Sequence, residues 1–487
     1  MRANYIHYGS PQFRLLSDKQ IEELHLASLY IMEKTGVAFE GDEALELLGE
    51  AGADVSNPNR VKIPSYLVEQ ALRTAPKTIT LYTREGKPAM TLNGMTVHFG
   101  GMTALNEYLD PYIRQHRQCY IEDVADMARV LDALPNIEWV YNASDHSTVP
   151  GAVADLLGFS QSILNTSKPV MTQILEVPNL PRMIEVCAMI AGGEKNLQNK
   201  PFFVSSSISV SPLMQGKDAV EKNLICAEKG IPNVVYNMPM AGATSPATFA
   251  SVLAIANAEF LSQLVVIQLK KPGAPVIYGS QPSIMDMKTT IYSFGAPEAH
   301  YFDAALTELS HYYKLPFFGT AGQTDADVID AQAAAEATYQ ILMAALCGAD
   351  FVHGIGEMSV GRMISPEYAV FGSELIDMVN VIMGGIEINE ETLPLDLIER
   401  VGPRGTFISE KHTLKHFRKF WNPTIFDRSV IKNENTKRCH DLLNTKTVKI
   451  LKTHQPEPMP EDMVKELKKL EKSWLKRVGL DKYPKRP

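Results

Sequence analysis

The 487 residues contain only five cysteines, Cys119, Cys187, Cys226, Cys347 and Cys439, far apart and with no C-x-x-C pair. That scarcity excludes a disulfide framework and a thiolate zinc site, and the chain reads as a protein of a reducing compartment, the cytoplasm. Positive charge is short as well. Lys and Arg number 47 against 56 Asp and Glu, a net charge of −9 with His neutral, which excludes a polyanion such as nucleic acid as the main partner. Long uninterrupted apolar runs are missing too. The N-terminal MRANYIHYGSPQFRLLSDKQ lacks the apolar stretch of a secretory leader. The longest apolar segment, Phe249 to Leu269, is broken by Asn257, Glu259, Ser262 and Gln263, so it reads as a buried helix and no membrane span is expected. The 31 Gly and 30 Pro are spread without repeats, and a 45 % apolar content excludes disorder as the main state.

What is present is a rhythm. Residues 1–95 read as helices and a hairpin: Ser17 is placed to cap a helix that stops at Gly36, a second helix runs from Asp42 to Gly52, and ITLYTREG and PAMTLNG alternate about Glu85 and Gly86. From 96 to 386 a short β-branched or aromatic run, a Gly, Ser or Pro turn and an amphipathic helix repeat eight times. The strands are TVHFGG, IEWVYNA, PVMTQIL, PFFVSSS, PNVVYNM, APVIYGS, PFFGTAG and ADFVHGI. The seventh helix is expected to open at Thr324-Asp325-Ala326-Asp327 and to end at Gly348. Eight such units predict an α/β fold, a (β/α)8 barrel with an N-terminal collar. A doubly wound open sheet is the alternative, and no G-x-G-x-x-G follows the first strand to favour it. Residues 387–487 form a C-terminal extension. Its Lys-rich helix, with Met463, Leu467, Leu470 and Leu475 on one face, is expected to pack on the barrel or a neighbouring subunit, or to dock an acidic partner.

In a barrel the chemistry sits where strands end, so those positions define the candidates. The metal-ligand types there, Asp145, His146, Glu176, Asp325, His353 and Glu357, come from separate loops without H-x-H or H-E-x-x-H spacing, and no metal is predicted. Gly319, Gly322, Gly354 and Gly356 could form a phosphate nest and equally let strands approach helices closely. No Lys ends a strand, which disfavours Schiff-base lyases and isomerases. Aromatic and methionine side chains abound instead, among them Phe99, Tyr141, Tyr236, Tyr278, Phe317 and Phe318. An aromatic enclosure with one or two acids suits a quaternary ammonium ion, each good cation–π contact contributing about 0.5 to 2 kcal/mol.

The segments SDKQIEELHLASLYIMEKTGV, VKIPSYLVEQALRTAPKTITLYTREG, YNMPMAGATSPATFA, FFGTAGQTDADVIDAQAAAEATYQILMAALCGADFVHGIGEM and ISEKHTLKHFRKFWNPTIFDR resemble, in order and spacing, the trimethylamine methyltransferase family over residues 17 to 430. The resemblance implies a TIM barrel that moves a methyl group from an amine to Co(I) of a corrinoid carried by a separate small protein docked over the barrel mouth. All 487 positions are standard residues, whereas archaeal trimethylamine enzymes of the family use pyrrolysine. The chain therefore resembles the non-pyrrolysine branch, which implies a quaternary amine substrate: glycine betaine first, with proline betaine, carnitine and γ-butyrobetaine as alternatives. A non-catalytic betaine-binding or corrinoid-docking protein is the reading of another class. No D-x-H-x-x-G cobalamin signature is present, so the chain is expected to carry no corrinoid itself, and to assemble as a homo-oligomer.

Within that frame His353 and Glu357 are the expected catalytic residues. Tyr236, Tyr278, Phe317, Gln323 and Asp325 are the expected substrate contacts, with an acid offsetting the ammonium. Which of Tyr236 and Tyr278 faces inward is not set by the sequence. For a substrate carboxylate the nearest cations are Arg362, Lys288 and Arg404, none of them at the inner rim.

Overall fold

The computed structural model describes residues 10–94, 96–144, 148–428 and 437–486, so Asp145 and His146 lie outside the described residues. Eight parallel strands close a barrel in sequence order: β1 (His98–Met102), β2 (Trp139–Asn142), β3 (Val170–Gln173), β4 (Phe203–Ile208), β5 (Asn233–Tyr236), β6 (Val276–Gly279), β7 (Phe317–Thr320) and β8 (Phe351–Ile355), which pairs back onto β1. The closing seam is irregular, its register shifting between Val352 and Ile355. Eight helices cover the outside: α1 (Ile121–Ala133), α2 (Gly151–Leu164), α3 (Asn179–Ala191), α4 (Lys217–Lys229), α5 (Phe249–Lys270), α6 (Pro297–Tyr313), α7 (Ala331–Cys347) and α8 (Pro366–Met383). Helix α5 is long and apolar enough to cross a membrane, but 83 % of its apolar window is buried against the rest of the chain, as the outer helix of a barrel must be.

Strand alternation sorts the aromatics into two layers. Trp139 on β2 stacks on Phe351 of β8 at 3.7 Å, and Phe318 on β7 contacts Tyr236 of β5 at 5.6 Å and Tyr141 of β2 at 6.5 Å. These strands are not neighbours, so the contacts run through the barrel interior. Phe203 meets Phe159 of α2, and Tyr278 stacks on Phe260 of α5 at 3.8 Å, so these rings fill the strand–helix layer. Two glycines make the inner layer possible: a Cβ on Gly100 would lie 2.2 Å from the Trp139 ring, and one on Gly279 would lie 2.5 Å from Tyr236 Cβ.

Ser17 and Gln20 make a capping box for the helix Asp18–Tyr30, which widens into a π-turn through Thr35 and ends at Gly36 with φ +80°. The hairpin Ile79–Tyr82 and Pro88–Leu92 sits at the N-terminal ends of the strands, Tyr82 N–H donating to Pro201 O and Asn93 N–H to Asp350, so it closes the end opposite the mouth. At the mouth a four-stranded sheet bridges the seam, pairing Glu357–Met358, Met363–Ile364, Glu107–Leu109 and His116–Gln118. It is tied to α1 by Arg117, whose guanidinium lies 4.6 Å from the Tyr108 ring and bonds Asp123 and Asp110. The C-terminal helix Glu461–Arg477 packs on α2 through Leu467, Trp474 and Leu475, with Ser160 and Gln161 donating to the buried Glu471. One expected boundary is corrected: α7 is capped by Asp330, whose carboxylate accepts from Gln332 and Ala333 N–H, and not by the Thr324–Asp327 segment.

Candidate active site inside the barrel mouth

The C-terminal end of β8 carries His353, 5 % exposed, paired in register with Thr320 of β7. Its imidazole lies parallel to the Phe318 ring at 4.5 Å and meets the Tyr141 ring edge-on at 5.7 Å. Both ring nitrogens are buried without a hydrogen-bond partner among the described residues. Burial pushes the imidazole pKa down to about 3, so His353 is neutral at any physiological pH. A buried ring with an open donor and an open acceptor normally costs stability, so these two atoms are available to a ligand.

Around it stand Tyr141 and Tyr236, whose hydroxyls approach to 3.5 Å, with Gln173 also 3.5 Å from the Tyr141 hydroxyl. One side of the mouth is polar. Gln323 donates to Glu357 Oε2 at 2.5 Å, while its own Oε1 accepts from Thr320 at 2.9 Å and Gln281 at 3.1 Å. Gly354 has φ +113° and a Cβ there would strike Gln323 at 2.6 Å, so that glycine serves this packing. Glu357 is 4 % exposed on the edge of the mouth sheet. Its charge reaches Tyr292, whose phenol is held well above its usual range first by burial and then by that carboxylate. The Tyr292 hydroxyl donates to Gln281 O.

The structure thus brings His353, Tyr236, Gln323 and Glu357 to one mouth. Asp325 lies beside them and acts on the loop. It accepts from Ser293 Oγ and, at 2.9 Å, from Phe294 N–H, fixing the segment that delivers Tyr292. It does not cap a helix. Tyr278 and Phe317 are placed in the outer layer, Tyr278 donating to Asn257 Oδ1 at 3.0 Å and meeting Phe317 edge-on at 5.5 Å. Phe318 and Tyr141 occupy the inner wall instead, and both belong to the aromatic set visible in the sequence. Tyr292 is not among the strand-end candidates, since nothing in the run SQPSIMDMKTTIYSFG says that its far end folds back over β6. Arg362 turns outward to Glu107 at 3.4 Å, and Lys288 and Arg404 are exposed, so none of the three nearest cations reaches the site. Among the described residues no three His, Cys, Asp or Glu side chains converge as metal ligands.

Comparison with known proteins is consistent over nearly the whole length. The family described as Trimethylamine methyltransferase (MTTB) matches residues 1–473. Trimethylamine methyltransferase MttB of Desulfitobacterium hafniense (strain DSM 10664 / DCB-2) is 34 % identical over 462 residues, 93 % of this chain and 92 % of that protein. Glycine betaine methyltransferase of Desulfitobacterium hafniense (strain Y51) is 30 % identical over 443 residues, 88 % of this chain and 91 % of that one. Among solved structures, the monomethylamine methyltransferase MtmB of Methanosarcina barkeri superposes with a TM-score of 0.53 at 11 % identity, covering 96 % of this chain and 89 % of that chain, a likeness of fold.

Proposed function

Since the chain belongs to the trimethylamine methyltransferase family, we propose that it is an enzyme that removes a methyl group from a quaternary amine, glycine betaine first among them, and passes it to Co(I) of a corrinoid held by a separate protein. The observation that carries this reading is the neutral aromatic enclosure of Tyr141, Tyr236, Phe318 and His353, the last without a hydrogen-bond partner among the described residues, with the Glu357 carboxylate at its edge. A trimethylammonium head is a cation without hydrogen-bond donors. It is held by ring faces and offset by a nearby acid, and a charged imidazole would repel it. His353 suits such a wall because burial keeps it neutral.

The chemistry asks little more of the protein. The cobalt supplies the electron pair that forms the new bond to the methyl carbon. The C–N bonding pair stays on nitrogen, and a quaternary amine leaves as a neutral tertiary amine that needs no proton. Tyr141, Tyr236 and Phe318 exclude water and fix the C–N axis; His353 borders the reacting head; Gln323 holds Glu357 so that its charge faces the cation. Positioning of this kind can supply on the order of 7 kcal/mol of barrier reduction. Polar side chains such as Gln281 and backbone N–H groups remain for a substrate carboxylate, with no arginine clamp among the described residues. Proline betaine, carnitine and γ-butyrobetaine are therefore alternatives in the same site.

The rim supports a protein partner. Tyr112, Ile113, Val210, Met287, Ile291 and Val328 stand exposed on loops that follow β1, β4, β6 and β7, ringing the mouth with apolar side chains. The test mixes the purified protein with reduced corrinoid protein or cob(I)alamin and each quaternary amine, reading the methyl-cobalt absorbance. Transfer that depends on both enzyme and amine is expected. Amine binding without transfer would make the chain a betaine-binding protein instead.

A further inference from the structure

Helix α7 lies outside the barrel wall, and most of what it buries is small and apolar: Ala333, Ala337, Ile341 and Ala344. Gln340 is buried with them and is wholly inaccessible to solvent. Burying an amide costs free energy unless its polar atoms are bonded, and an apolar side chain would fill that layer as well. Both ends of the Gln340 amide are in use. Its Oε1 accepts from Gln323 N–H at 2.9 Å, and its Nε2 donates to Phe294 O at 3.4 Å. The two partners belong to different loops at the mouth, one following β7 and the other following β6.

Its neighbours on the helix bond to the same two loops. Glu336 Oε2 accepts from Thr324 Oγ1 at 2.5 Å and from Asp325 N–H at 2.9 Å in the β7 loop, and the Tyr339 hydroxyl donates to Gly295 O at 2.8 Å in the β6 loop. Residues three and four apart share a helix face, so one face of α7 grips both loops. The fit is close: a Cβ on Gly295 would lie 2.5 Å from Glu336 Cδ. Asp325 then ties the loops to each other by accepting from Ser293 Oγ and Phe294 N–H.

What the loops carry into the mouth gives this grip its use. Gln323, whose N–H Gln340 holds, donates through its side chain to Glu357 Oε2 at 2.5 Å. Tyr292, two residues before Phe294, donates to Gln281 O, and the Gln281 amide donates to Gln323 Oε1 at 3.1 Å, so the loops meet again inside the mouth. We propose that Gln340 is a positioning residue of this site: by fastening the Gln323 and Phe294 backbones to one rigid helix, it sets the direction in which Gln323 presents the Glu357 carboxylate. The effect on turnover rests on the amine-demethylating reading given above, and the mechanical link between the loops stands without it. Working groups need to be held to about 0.5 Å and 10–20°, which a loop achieves when it is anchored to a rigid element.

Two readouts on the full-length protein test this with Gln340→Met, which keeps length and bulk but neither accepts from Gln323 N–H nor donates to Phe294 O; that carbonyl keeps His300 Nε2 at 3.2 Å. The first is amide hydrogen exchange without substrate. Peptides spanning 291–296 and 321–326 should exchange about fivefold faster or more, with the collar helices unchanged, and Gln340→Glu, which retains the acceptor for Gln323 N–H, should hold the 321–326 peptide near the wild-type rate. The second is a double-mutant cycle with Glu357→Gln, reading KM for glycine betaine with cob(I)alamin. Gln340→Met should raise KM about threefold in the wild-type background and by almost nothing once the Glu357 charge is gone, because the two residues act on one interaction. Unchanged exchange in both peptides would overturn the proposal, and so would an equal KM effect in both backgrounds, which would make Gln340 a packing residue. Should Gln340→Met not fold, Gly295→Ala, which pushes the Glu336 carboxylate off the loops, goes through the same two readouts with the same expectations. A wild type that demethylates no amine would remove the functional reading, and the exchange data would still decide whether Gln340 couples the loops.

Discussion

Two neighbours on β7 show how the barrel wall divides its labour. Phe317 faces out, against Tyr278 and the α5 layer, and the polar groups there are fully engaged: the Tyr278 hydroxyl donates to Asn257, Asn257 Nδ2 donates to Tyr313 at 2.8 Å, and the Tyr313 hydroxyl meets His25 Nδ1 at 2.9 Å. Phe318 faces in, against His353, whose two nitrogens bond to nothing described. Both regions are buried and aromatic. The difference is satisfaction: the outer network closes on itself and stabilises the fold, while the inner one is left incomplete among the described residues, open to completion by a ligand.

Substitutions on the two sides should therefore separate stability from turnover. The largest effect is expected outside. Asn257→Leu strands the Tyr278 hydroxyl in the core, at a cost of about 1 to 3 kcal/mol, and removes the amide donor to Tyr313 and Ser28, whose hydroxyls keep His25 and the Leu24 and Ala254 carbonyls. Thermal melting should fall by many degrees while the turnover of the folded fraction holds. His353→Ala should do the reverse, lowering demethylation more than tenfold, or about 1.4 kcal/mol, with little change in melting temperature. Glu357→Gln keeps shape and burial but removes the offsetting charge. It should raise KM several-fold, less than tenfold, and leave the melting curve nearly unchanged, as initial-rate kinetics and calorimetry would show.

The smallest effect concerns pH. Burial pushes the Glu259 carboxyl on α5 up to about 7, despite hydrogen bonds from Leu213 N–H and Ser211 Oγ. A folded-state pKa above the unfolded value means that this group's contribution is fully present below about pH 4.5 and is lost as pH rises through 7. Relative to Glu259→Gln, the wild type should lose stability between pH 5 and 8, measured by denaturant melts across that range. His353, neutral above about pH 3, should add no inflection to the rate profile there.

The eight strands and the barrel were legible because each strand is a short β-branched or aromatic run closed by Gly, Pro or Ser, a punctuation that survives without tertiary information. Inward and outward faces were not, because strands buried on both sides carry no polar alternation. VIYG and FFGT read the same in either phase. That is why Tyr278 and Phe317 entered the candidate site where Tyr141 and Phe318 stand. Asp325 looked like a cap because Thr324-Asp325 and Asp330 share capping chemistry, and only the contact with Ser293 and Phe294, about thirty residues earlier in the chain, tells them apart.

The division of the wall is tested most directly by one matched pair, Phe317→Leu and Phe318→Leu, the same change on adjacent residues of one strand. Steady-state kinetics with glycine betaine and reduced cobalamin would be run on both, alongside thermal melts. KM is expected to rise about tenfold, or 1.4 kcal/mol, for Phe318→Leu and to stay within twofold for Phe317→Leu, with both variants destabilised to a similar degree. Equal KM changes in the two variants, or a rise confined to Phe317→Leu, would contradict the assignment of the inner face as the substrate wall.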